Sequence, residues 1–91
     1  MGEAYVNRGA TLISLRRYQE ALSDISRGIA LGSKKPEIAY YDRAIAREAL
    51  GDIRGAYEDF KKALEIQPDF ERASLQLQRF HVVRSGEQGG A

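Results

Sequence analysis

Apolar residues recur at three-and-four spacing along most of this chain, the period of a helix that buries one side. From Glu3 to Leu15 the stripe is Tyr5, Leu12 and Leu15, with small Gly9 among them. From Tyr18 to Leu31 it is Tyr18, Ala21, Leu22, Ile25, Gly28 and Ile29. The segment Gly32-Ser33-Lys34-Lys35-Pro36 ends that second run. Glycine suits a helix C-terminus and proline the first turn of the next helix. A third helix is expected from about Glu37 to Leu50, stopping at Gly51. Asp52 can cap a fourth, to about Gln67, because its carboxylate accepts amide hydrogens that the first turn leaves unpaired. Pro68 ends that helix, and Asp69 is placed to cap a fifth from about Phe70 to Arg84. No run alternates with period two, so the chain is expected to be all-α, with about five helices.

Two stretches repeat one another. Ala4-Tyr5, Asn7-Arg8-Gly9, Leu15, Ala21 and Asp24-Ile25 are matched by Ala39-Tyr40, Asp42-Arg43-Ala44, Leu50, Ala56 and Asp59-Phe60, at a constant offset. A unit of this length cannot bury its apolar face alone and must stack on its neighbour. Such a stack makes a binding surface rather than a catalytic pocket. Its small positions, Gly9, Ala21 and Gly28, let helices cross with their backbones close, while the aromatic rings fill the adjoining hollows.

Helix pairs at this spacing, with these small and aromatic residues, resemble the tetratricopeptide repeat family. Tyr5 with Gly9 and Tyr40 with Ala44 occupy the aromatic and small positions of the first helix of each repeat. Tyr18, Ala21, Ile25 and Gly28, then Ile53, Ala56, Phe60 and Ala63, occupy those of the second. Gly51-Asp52 stands at the inter-helix turn and Pro68 at the terminating proline. Repeat one departs, with Arg16-Arg17 at its turn and Ser33 in place of proline. The resemblance implies one domain over residues 1–84, built of antiparallel helix pairs stacked as a short right-handed α-solenoid. Repeat one would cover about 2–35, repeat two about 36–70 and a capping helix about 70–84, with residues 85–91 a flexible tail.

In that family the first helix of each repeat lines a concave surface on which peptides lie. The groove residues implied here are Val6, Ala10 and Ile13, then Tyr41, Ile45 and Glu48, then Leu75, Arg79 and Val82 from the fifth helix. One subclass grips the carboxylate tails of heat-shock chaperones with lysine and asparagine at these places. Val6, Ala10, Tyr41 and Ile45 stand there instead, and only Arg79 keeps a suitable charge, which argues against such a clamp. A largely apolar groove with a basic edge suits a hydrophobic peptide or an amphipathic helix. The same face would serve a homodimer, or the docking of a neighbouring segment in a longer array joined to another functional domain.

A second recurrence is charged. Arg8 and Arg43 are expected on the inward side of the first helices, with Asp24 and Asp59 at equivalent places in their partners. A guanidinium fork satisfies a carboxylate bidentately, so an Arg–Asp bridge inside each repeat is expected. The alternative is two exposed charges that recur without meeting.

Composition removes other functions. With 14 basic against 13 acidic residues and a net charge of +1, neither nucleic acid nor an anionic membrane is an expected partner. A protein or peptide is. There is no cysteine, and His81 is the single histidine, so there is neither a thiolate nucleophile nor a second imidazole to share a metal. No enzyme activity, cofactor or metal is expected. The first residues carry no basic leader or apolar core of a signal peptide, which favours a cytoplasmic location.

Overall fold

A computed structural model gives five helices: α1 (Glu3–Ser14), α2 (Tyr18–Leu31), α3 (Pro36–Ala49), α4 (Ile53–Ile66) and α5 (Glu71–Gly90). It describes residues 1–80 in full and, beyond Phe80, only the backbone of α5. The readings of the side chains of His81, Val82 and Arg84 lie outside the fully described residues; α5 runs to Gly90, beyond the end expected near Arg84 and into the stretch read as a tail. α1 packs chiefly on α2 and α3 on α4; α2 against α3 joins the pairs, and α5 closes the stack on α4. The described residues contain no strand, and the chain is an all-α helical repeat.

The boundaries follow local chemistry. Pro36 opens α3 in its first turn, where its missing amide hydrogen costs nothing. The Asp52 carboxylate accepts the Gly55 amide at 3.0 Å and caps α4. Asp69 does not play the same part for α5. That helix begins at Glu71, so the capping position is Phe70, whose ring is buried and whose carbonyl accepts the Ser74 amide at 3.1 Å. Leu15, expected in the buried stripe of α1, is its C-cap instead and stands exposed, as does its counterpart Leu50.

The turns inside the two repeats are identical in backbone hydrogen bonding, although their sequences differ. In repeat two the Gly51 amide reaches the Glu48 carbonyl (3.0 Å) and the Asp52 amide the Arg47 carbonyl (2.8 Å). In repeat one Arg16 reaches Ile13 (2.9 Å) and Arg17 reaches Leu12 (2.8 Å). This paired closure needs a left-handed residue, which Gly51 supplies at φ 90° and Arg16 at φ 60°. The unusual Arg16-Arg17 therefore does not change the loop; it makes Arg16 adopt a conformation suited to glycine.

Small residues make the core. Val6, Ala21 and Ile25 pack with Ala39 and Ala46; Ala44, Ala56 and Phe60 with Phe80; Ala63 with Phe70 and Ala73. A side chain on Gly28 would meet Val6 Cγ2 at 2.6 Å, and one on Gly9 would collide with Ile25. Both glycines are thus required by the closeness of α1 to α2. Glu3 accepts the Lys34 backbone amide, which ties the start of α1 to the loop between the repeats and holds its carboxyl down at about 2.

Both Arg–Asp bridges form. Arg8 donates from Nε and Nη2 to the two oxygens of Asp24, at 2.6 and 2.8 Å. Arg43 does the same to Asp59, at 2.8 and 3.0 Å. The inward placement expected of both arginines holds only for the second. The Arg8 side chain is 65% exposed, and that of Arg43 is 16% exposed.

Candidate functional site

The face expected to bind partners is laid down by α1, α3 and α5. On α3, Ile38, Tyr41, Asp42, Ile45 and Glu48 recur at three-and-four spacing and so share one side. The ring of Tyr41 is half-buried between repeats, 5.5 Å edge-on from Phe60 and 5.1 Å from Phe70. Ile45 packs beside it on the cluster of Ala44, Ala56, Phe60 and Phe80. On α5 Leu75, at three-and-four spacing from Arg72 and Arg79, is 54% exposed. On α1, Ala10 and Ile13 are partly exposed.

Val6 departs from expectation. It is 5% exposed and belongs to the core, because Gly28 opposite it has no side chain to hold α2 away. The place that Val6 was expected to fill in a groove is taken up by packing inside repeat one.

The basic edge also changes character. Arg79 donates from Nη2 to both oxygens of Glu48, at 2.8 and 2.9 Å, and from Nε to Gln76 at 2.9 Å. Two residues expected as separate groove contacts thus neutralise one another and brace α5 against α3. Next to this bridge Glu48, Ile53, Arg79 and Phe80 line a shallow hollow of about 230 Å³. Arg72, two helical turns before Arg79, stacks over Tyr41 with Cζ 5.6 Å from the ring centroid.

Asp42 belongs to the repeated pattern but is not among the groove residues that the family resemblance implies. Burial pushes its carboxyl up to about 6, and the charge of Arg72 opposes that rise only in part. Its position among Ile38, Tyr41, Ile45 and Glu48 is available from helical spacing; its burial is not. Asp59, expected to pair with Arg43 alone, also accepts from Arg47 Nη1 at 2.9 Å, while Arg43 Nη1 reaches Ser26 of α2 at 3.4 Å. This network holds repeat two together and ties it to repeat one. The described residues include no cluster of side chains able to hold a metal ion. Nor do they include a helix long and apolar enough to cross a membrane.

Comparison with known proteins gives the same answer as the helix pattern. The tetratricopeptide repeat profile matches residues 38–70. RNA polymerase II-associated protein 3 of Xenopus tropicalis is 36% identical over 75 residues, which cover 82% of this chain and 11% of that protein. The protein of the same name from Mus musculus is 34% identical over 85 residues, covering 92% and 13%. Heat shock protein STI1 of Saccharomyces cerevisiae is 29% identical over 84 residues, covering 92% and 14%. The chain therefore spans only a small part of the length of these relatives. With two helix pairs in register, glycines and alanines at the crossings and the profile on its second repeat, the chain belongs to the tetratricopeptide repeat family.

Proposed function

We propose that this chain is a protein–protein interaction module that takes a peptide or helix across the face formed by α1, α3 and α5. One observation carries the reading. Ala10, Ile13, Tyr41, Ile45 and Leu75 offer partly exposed apolar surface on successive first helices, with the Arg72 guanidinium over the ring of Tyr41. Burying that surface on association is favourable, at roughly 25 cal/mol per Å² of apolar area removed from water. On the same face Arg79 bridges α5 to Glu48 of α3, and these helices are already packed on α4 in the free chain, so the surface is formed before a partner arrives.

The names of the relatives agree with a module of this kind, since one is called polymerase-associated and another a heat shock protein. The side chains here do not favour a carboxylate clamp. Ala10, Tyr41 and Ile45 cannot ion-pair with an acidic tail, and Arg79 is already engaged by Glu48.

Leu75→Glu, alone and with Ile45→Glu, tests the reading. Peptides selected on the native chain should lose binding to both variants, while the helical signal by circular dichroism and the molar mass by light scattering of Leu75→Glu alone stay unchanged. Retained binding in Leu75→Glu would place the partner elsewhere. A native dimer that Leu75→Glu converts to a monomer would make the face a self-association surface.

A further inference from the structure

The charges on this face differ in how far the chain itself satisfies them. Glu48 and Arg79 neutralise one another at 2.8 Å. Arg72 lies over the ring of Tyr41 rather than against a carboxylate. Asp42 stands between Tyr41 and Ile45 on α3, half-buried, and among the described residues no cation lies within 4.0 Å of it and no donor is hydrogen-bonded to it. Arg72 acts on it only from a distance. A carboxylate withdrawn from water without a partner is costly, and the cost is relieved by any cation brought alongside. Burial has already raised this carboxyl to about 6, as expected of an acid left without a close counter-charge.

We propose that the segment held on this face carries one lysine or arginine, set between apolar residues, whose cation pairs with Asp42. The apolar residues would lie on Tyr41, Ile45 and Leu75, and the base would complete an ion pair that the chain leaves open. The preference is therefore for a basic-apolar partner, opposite in sign to an acidic tail. Charge complementarity of this kind selects among partners more than it sets raw affinity. The inference rests on the α1, α3 and α5 face being the binding surface.

The test is a selection of random displayed peptides on the native chain, followed by paired synthetic peptides in which the enriched base is kept or replaced by norleucine. Enriched sequences should carry a single basic residue among apolar ones. The basic peptide should bind about tenfold more tightly than its norleucine twin, and Asp42→Asn should erase the difference between them. Leu75→Glu should weaken both peptides, which locates them on this face. Enrichment of apolar peptides without a base, with binding still sensitive to Leu75→Glu, overturns the inference and leaves the proposed function standing. A basic preference that survives in Asp42→Asn also overturns it. Binding indifferent to Leu75→Glu, or no enrichment at all, overturns the function and the inference together.

Discussion

Repeat one and repeat two place the same residues at the same spacing and put them in different surroundings. Arg8–Asp24 and Arg43–Asp59 make the same bidentate geometry. The Arg8 side chain is largely exposed. Arg43 has α2 in front of it, donates to Ser26, and shares Asp59 with Arg47. At the place of Arg47 repeat one has Leu12, which packs on the core instead. A repeat unit therefore specifies a contact, and the neighbouring unit decides what that contact is worth.

The largest expected effect lies in the second bridge. Asp59→Asn leaves two guanidiniums in a buried site without their carboxylate, and a broken buried pair costs about 3–5 kcal/mol. Urea denaturation should register that loss, with partial recovery when Arg43→Leu is added. Asp24→Asn, at the exposed bridge, should leave the midpoint nearly unchanged. Equal responses from the two aspartates would break the comparison.

Next in size is Asp42, whose counterpart in repeat one is the exposed Asn7. A carboxyl raised in the folded state binds its proton more tightly there than in the unfolded chain. Its contribution to stability therefore falls as pH rises from the unfolded value of 3.8 to about 6, and is constant outside that window. Asp42→Asn should stabilise the chain at pH 7 by up to about 3 kcal/mol, less whatever solvent screening removes, and leave it unchanged below pH 3.8. Melting curves at several pH values would check this. A stabilisation of the same size at every pH would mean that burial is not what disfavours the charge.

The smallest effect concerns the turns. Arg16 carries a side chain in the left-handed region where Gly51 carries none, so Arg16→Gly should stabilise repeat one by about 1 kcal/mol. Gly51→Arg should cost a similar amount in repeat two. Opposite shifts in denaturation midpoint would establish that the turns are equivalent.

Much of this architecture is legible in the amino-acid sequence alone. The bounds of α1 to α4 follow within a residue or two from apolar spacing, Pro36, Asp52 and Pro68, because those signals act within one turn of chain. Both Arg–Asp pairs follow from the repeat offset, since a residue that recurs in both helices of a pair meets the same opposite number each time. Val6 does not follow. Its burial depends on Gly28, which is distant in sequence and brings α2 close enough to cover it.

The groove charges show the same division. Helical spacing places Asp42 and Glu48 on one side of α3, and the family resemblance implies Arg79 on the same face, but neither says which charges meet. That depends on the angle at which α5 lies on α4 and on where its side chains come to rest. There Arg79 meets Glu48 and Arg72 settles on Tyr41, leaving Asp42 with no close partner among the described residues. Local order is encoded in short stretches and is legible there. Burial and charge pairing are set by distances between helices that no single stretch contains, and they appear only when the stack is assembled.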